Sequence, residues 1–121
     1  MKKRIFLVED DQSIRDIVTI IMEDIDFEVK SFKDATSFKA EMQKSQPDIY
    51  LLDINLPDGN GIELAKMIKS ILYLNHLPVI LMSARKLEEI DSVDCYDDFI
   101  PKPFDIVDLQ EKIKSYTQID S

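Results

Sequence analysis

The 121-residue sequence predicts one α/β domain on a doubly wound, five-stranded parallel sheet, and three observations carry the prediction. Short apolar runs alternate with amphipathic segments along the whole chain. Three of those runs, IFLV, IYLL and VILM, are continuously apolar, as strands buried on both faces are, rather than alternating as in a sheet wetted on one side. The helical stripes fall between the strands, so each pair of successive strands is joined by a crossover of the βαβ kind.

The elements follow in order. Residues 4–9 (RIFLVE) form the first strand run, bounded by charge. The period then changes: Ile14, Ile17, Val18, Ile21, Met22 and Ile25 recur at helical spacing and make one apolar stripe. Phe27 to Phe32 alternates as a second strand, and Ala35, Phe38 and Met42 stripe a second helix. Pro47 precedes the densest run, Ile49 to Asp53. Ile62, Ala65, Ile68 and Leu72 mark a third helix, and Pro78 opens the fourth strand, Val79 to Met82. Leu87, Ile90 and Val93 line a short fourth helix. Phe99 and Ile100 form a brief fifth strand, and Ile106, Leu109, Ile113 and Tyr116 stripe the last helix. No repeat, low-complexity tract or linker interrupts the pattern, so residues 1–121 read as a single domain.

Composition narrows the function. A hydrophobic content of 45% with 32% charged residues is a globular balance, which argues against disorder. No apolar run approaches the roughly 20 residues that span a bilayer, and the basic start MKKR turns acidic too early for a signal-peptide core. With one cysteine and no export signal, no disulfide framework is expected and the cytoplasm is the default location. Cys95 sits in VDCYDD without a basic flank and reads as a small structural residue. The net charge of -9 argues against direct binding to nucleic acid or to an anionic membrane.

In an open parallel sheet, ligands bind beyond the carboxyl ends of the strands. Those ends carry Glu9, Asp10 and Asp11 after the first strand, Asp53 after the third, Ser83 after the fourth and Lys102 after the fifth. Each has a plainer role open to it. Asp11 reads best as the N-cap of the first helix, Ser83 is evenly balanced between a cap and a site hydroxyl, and Lys102 alone would be a surface lysine. Asp53 differs because the run before it leaves it at a buried terminus. Its convergence with Glu9 and Asp10 is costly unless a cation compensates, and a hard divalent ion such as Mg²⁺ suits carboxylate ligands. Metal and lysine together let the acidic edge hold a phosphate, and a carboxylate can then act as nucleophile and form an aspartyl phosphate. His76, the single histidine, reads as a loop residue. Both glycines of the chain, Gly59 and Gly61, fall in DINLPDGNGIEL after Asp53, where a tight approach or a positive-φ turn would need them.

The motifs LVEDD, LLDINLPDGNG, LMSA and FIPKPF, in this order, resemble the receiver domain of bacterial two-component response regulators over essentially the whole chain. The resemblance implies a flavodoxin-like sheet of order 2-1-3-4-5. It makes Asp53 the phosphoacceptor, and Glu9, Asp10, Asp53 and the Asn55 carbonyl the Mg²⁺ ligands. Ser83 and Lys102 become the groups drawn to the phosphoryl oxygens, Phe99 the switch aromatic coupled to Ser83, and the Lys102–Pro103 peptide a cis bond. Asn55 and Arg85 match positions that tune the phosphoryl lifetime. The implied partners are a histidine kinase or histidine phosphotransfer protein, and a downstream target or an output domain outside these residues. The resemblance also leaves room for a phosphorylation-dependent dimer. One departure stands out: Ser83 to Lys102 is 19 positions (102 minus 83), shorter than the family carries, which predicts a short fourth helix and alters the face that passes the signal on.

Rival readings fare worse. A Mg²⁺-dependent phosphatase with Asp53 as nucleophile would want a second acid two residues on, where Asn55 stands. A calcium-binding loop counted from Asp53 fails, with Pro57, Asp58 and Leu64 where an oxygen ligand, Gly and Glu are required. A degenerate receiver used only for binding would have lost the Asp or the Lys, and both are kept. The chain is therefore expected to catalyse only its own phosphorylation and dephosphorylation.

Overall fold

A computed structural model describes residues 2–84 and 95–117. Its central sheet holds β1 (Lys3–Val8), β2 (Phe27–Phe32), β3 (Ile49–Asp53), β4 (Val79–Ser83) and β5 (Asp98–Pro101). They pair in the order β2-β1-β3-β4-β5, and every pairing is parallel. This is the 2-1-3-4-5 order that the resemblance implies. Two further strands of two residues each, Asn55–Leu56 and Gly59–Asn60, form a separate antiparallel hairpin after β3. The helices among the described residues are α1 (Gln12–Glu23), α2 (Ala35–Met42), α3 (Gly61–Ser70) and α4 (Ile106–Thr117).

The continuous apolar runs are explained by the two faces. Phe6, Val8, Tyr50, Leu52, Val79 and Leu81 point to one side, where α2 and α3 bring Phe38, Met42, Leu64, Ala65 and Ile68. Ile5, Leu7, Ile49, Leu51, Ile80 and Met82 point to the other, where α1 brings Val18, Ile21 and Met22, and α4 brings Leu109 and Ile113. Successive strand residues alternate between faces, so a strand covered on both sides has no polar position until its end. β2 lies at the sheet edge and is less covered: Phe27 and Phe32 are buried, on opposite faces, while Glu28, Lys30 and Ser31 are exposed.

Helix starts match turn chemistry. The Asp11 side chain accepts from the Ile14 amide (3.2 Å), which makes it the N-cap of α1 as its sequence position predicts. Asp34 and Asn60 cap α2 and α3 in the same way, by accepting from Ser37 (2.8 Å) and Glu63 (2.8 Å). Asp26 adopts a positive φ of 70° in the turn that ends α1, a conformation Asp tolerates better than most residues.

The periodic stripes overreach at their ends. α1 stops at Glu23, so Ile25 lies beyond it, and Ile17 is 49% exposed on its outer side. α3 stops at Ser70, where Ile71 turns to an extended conformation, leaving Leu72 86% exposed. Ile106 and Tyr116 flank the α4 stripe and are 53% and 37% exposed, with Leu109, Ile113 and Thr117 forming its buried face. The short fourth helix expected from Leu87, Ile90 and Val93, and Arg85 with it, lie outside the described residues.

Candidate functional site

Pairing in register brings the strand ends to one edge. Val8 pairs with Leu52, so Glu9 follows β1 where Asp53 ends β3, and Asp53 in turn pairs with Met82, one residue before Ser83. Ser83 pairs with Pro101, and the Lys102 amide donates to the Ser83 carbonyl (2.9 Å). The register alone therefore gathers Glu9, Asp53, Ser83 and Lys102.

Lys102 is the hub. Its ammonium donates to Glu9 Oε1 (2.5 Å) and to Asp53 Oδ2 (2.9 Å), and both carboxylates are almost fully buried. The Lys102–Pro103 peptide is cis, as the resemblance implies. Burial works to lower the lysine, but its hydrogen bonds to Glu9 and Asp53 outweigh that and leave its pKa raised. Burial pushes Glu9 the other way from its usual range, up to about 7, against the hydrogen bonds from Lys102 and the Asp11 amide. Glu9 is held on every side. Its Oε2 accepts from the Asp11 amide (3.1 Å), its carbonyl accepts from Arg15 (2.7 Å), and its own amide donates to Phe32 at the end of β2 (3.0 Å).

Asp53 opens the hairpin loop. Its Oδ1 accepts from the Asn55 amide (3.2 Å), which places the exposed Asn55 backbone beside the acidic cluster. Gly61 folds back under Asp53: its amide donates to the Ile54 carbonyl (3.0 Å). A Cβ at Gly61 would run into the Asp53 carbonyl oxygen and stand 2.9 Å from the Asp53 carbonyl carbon. Close approach, not a left-handed turn, is what requires glycine there, since no glycine among the described residues has positive φ.

Glu9, Asp10 and Asp53 each offer a carboxylate oxygen within 4.8 Å of the others, with Asp10 on the exposed side. Three carboxylates against the one ammonium leave a formal -2, which a divalent cation would cancel. An all-oxygen donor set with an open, exposed side fits a hard ion that keeps some of its water, as Mg²⁺ does. The donor set therefore fits the metal that the sequence implies.

Of the residues singled out from sequence, Glu9, Asp10, Asp53 and Lys102 converge, with the Asn55 backbone and Ser83 adjoining. Phe99 lies apart from the cluster, half-buried on β5 and packed against the α2/α3 face of the core. His76 is exposed in the turn before β4, and Cys95 is buried with its thiol near the Ile62 carbonyl (3.8 Å). Sequence reading passed over Arg15 and Asp58. The first sits one turn into α1, close enough in sequence for its reach back to Glu9 to be inferred. The second bonds across 23 residues to the start of α2, a pairing that only the fold creates.

The family model described as "Response regulator receiver domain" matches residues 5–114. The phosphate regulon transcriptional regulatory protein PhoB of Klebsiella pneumoniae is 34% identical over 119 residues, covering 95% of this chain and 52% of that protein. Regulatory protein VanRc of Enterococcus gallinarum is 31% identical, covering 95% and 50%. The chain thus spans about half the length of the curated relatives it matches. Among solved structures, a CheY-like receiver domain protein from Methanospirillum hungatei superposes with a TM-score of 0.86 at 31% identity, covering 95% of this chain and 93% of that one. The response regulator TrrA of Thermotoga maritima, solved in complex with Mg(2+)-BeF, superposes with a TM-score of 0.85 at 25% identity, covering 96% and 99%. The chain belongs to the response regulator receiver domain family of two-component systems.

Proposed function

We propose that this chain is a phosphorylation-activated switch in a two-component phosphorelay, with Asp53 as the residue that accepts the phosphoryl group. The observation that carries the reading is the buried Glu9–Lys102–Asp53 chain at the carboxyl edge of the sheet. It puts an anionic nucleophile, a partner acid and a cation at one point.

In the step, an Asp53 carboxylate oxygen attacks the phosphorus of the donor's phosphoryl group. A new O–P bond forms as the donor's bond to phosphorus breaks and the electron pair leaves with the donor, a phosphohistidine of a kinase or phosphotransfer protein. The Asp53 carboxylate is itself the nucleophile, so no general base is required. Mg²⁺ held by Glu9, Asp10, Asp53 and the Asn55 carbonyl would neutralise charge on the transferring oxygens. Lys102, which now bridges Glu9 and Asp53, is within reach of the new oxygens, and the Ser83 hydroxyl is the second group assigned to them. The added charge of about -1.5 to -2 gives both residues a contact that the unphosphorylated form lacks. Phe99 and the face made by β5 and α4 then pass the change to a downstream target or output domain.

The chain acts once per phosphoryl group and is not a turnover enzyme; Asn55, where a phosphatase would carry its acid, supports this. No described helix is long and apolar enough to cross a membrane, and a cytoplasmic setting matches the proposed kinase partner. The test is intact mass after incubation with acetyl phosphate and Mg²⁺. Wild type should gain one phosphoryl group, about 80 Da, and Asp53→Asn should gain none. An unmodified wild type, or a variant modified to the same extent, would refute the assignment.

A further inference from the structure

We propose that Asp58 is a positioning residue for the metal site, holding the Asn55 backbone in place by pinning the tip of the hairpin to the start of α2. The inference rests on the metal ligands assigned above and concerns a residue outside them.

The hairpin Asn55–Asn60 is fastened at two ends. Its base is fixed beside the phosphoacceptor by the Asn55 amide on Asp53 Oδ1 (3.2 Å) and the Gly61 amide on the Ile54 carbonyl (3.0 Å). Its tip is fixed by Asp58 alone among the described side-chain bonds. Asp58 Oδ1 accepts from the Ala35 amide (2.8 Å), and Oδ2 accepts from the Thr36 amide (2.9 Å) and the Thr36 hydroxyl (2.5 Å). Three donors on one carboxylate define both the distance and the orientation of the tip. Between these ends the Asn55 pairing with Asn60 and the Leu56 pairing with Gly59 are only two residues deep, too short to be rigid unaided.

The anchor point is itself tied to the metal site. α2 starts three residues after Phe32, whose carbonyl receives the Glu9 amide (3.0 Å). Asp58 therefore joins the loop after β3, which supplies Asp53 and Asn55, to the segment after β2, which braces Glu9. The two ligand-bearing loops are connected on the outer side of the sheet edge as well as through β1 and β3. The three donors also hold the Asp58 carboxyl at about 2, the Thr36 hydroxyl foremost, so the tie stays ionised at any working pH.

The competing explanation is that Asp58 merely caps α2. Asp34 provides the control, because it caps the same helix by accepting from the Ser37 amide and hydroxyl and shares no described hydrogen bond with the hairpin, only a like-charge interaction with Asp58. The experiment is calorimetric titration of Mg²⁺ into the unphosphorylated protein, with melting temperatures, for wild type, Asp58→Ala, Asp58→Asn, Thr36→Val and Asp34→Ala. Orienting partners of metal ligands carry about tenfold or more in affinity. Asp58→Ala should weaken Mg²⁺ binding by roughly three- to tenfold, with Asp58→Asn and Thr36→Val between it and wild type. Asp34→Ala should lower the melting temperature comparably and leave Mg²⁺ binding within about twofold of wild type. Equal weakening in Asp58→Ala and Asp34→Ala, or none in Asp58→Ala, overturns the proposal. If Asp58→Ala is too unstable to titrate, the Asn and Val variants decide it by the same comparison. A wild type that binds Mg²⁺ but takes no phosphoryl group would instead refute the proposed function and leave this inference standing.

Discussion

Glu9 and Asp53 are buried at the carboxyl edge of the sheet with the half-buried Lys102 between them, and each has a partner. The Tyr50 hydroxyl is buried a few residues back along β3, on the α2/α3 face, and has none. Its ring is edge-on to Phe6 (centroids 6.1 Å apart) and Phe38 (5.9 Å), in a cluster that Phe32 completes. Burial, with Tyr73 adding to it, pushes the phenol up, so it stays neutral. One region thus pairs its polar atoms at every point, and the other keeps a polar atom that contributes nothing to its packing. An unsatisfied buried hydroxyl costs free energy, while a paired charge becomes costly only when its partner is removed. The contrast separates polar groups that the fold needs for chemistry from one that it merely tolerates.

Lys102→Ala should break the comparison most severely. It leaves two buried carboxylates facing each other, and the metal-free protein should lose about 3–5 kcal/mol, read from urea unfolding. Saturating Mg²⁺ should return a larger share of stability to this variant than to wild type, because the ion replaces the missing cation.

Glu9 makes the same region sensitive to pH. Its folded pKa of about 7 lies above the ordinary 4.5 because burial disfavours the charged form. Its contribution to metal-free stability is therefore complete below pH 4.5 and is lost as the pH rises through 7. Mg²⁺ competes with the same proton, so its affinity should fall as the pH drops below 7. Unfolding and calorimetric titrations from pH 4.5 to 8 check both signs, and Glu9→Gln should flatten both profiles.

The two glycines sharpen the contrast at the level of the backbone. Gly61→Ala forces a methyl against the Asp53 backbone and should cost about 1–3 kcal/mol. In Gly59→Ala the new methyl meets only the Ala35 methyl, at 3.6 Å, an ordinary contact. That variant should stay within about 0.5 kcal/mol of wild type. Thermal unfolding of the pair measures the difference. The smallest effect belongs to the other region: Tyr50→Phe keeps the ring contacts, drops the unpaired hydroxyl, and should be neutral or stabilising by up to about 1 kcal/mol.

What could be read from sequence follows from what each feature depends on. The strands IFLV, IYLL and VILM were legible because burial on two faces leaves a continuous apolar run, and their ends gave the positions of Glu9, Asp53 and Ser83 without further input. That Lys102 would touch both acids was less direct, since it requires the parallel order that sets β5 beside β4. Leu72 and Ile17 misled because periodicity records which residues could face a core, not where a helix stops or how far its neighbours extend. Asp58 was illegible for a different reason. Asp-Gly in PDGNG signals a turn, but its three donors come from residues 35 and 36, brought near only when β2 and β3 take their places on either side of β1.

The proposed acceptor of the phosphoryl group is the carboxylate of Asp53, and not that of its neighbours Glu9 or Asp10. Borohydride reduces an acyl phosphate to a primary alcohol, so peptide mapping of the reduced, phosphorylated protein identifies the acceptor directly. Homoserine is expected at position 53 in the peptide containing IYLLD, with Glu9 and Asp10 unchanged. Reduction at position 9 or 10, or a phosphorylated protein with an intact Asp53, would contradict it.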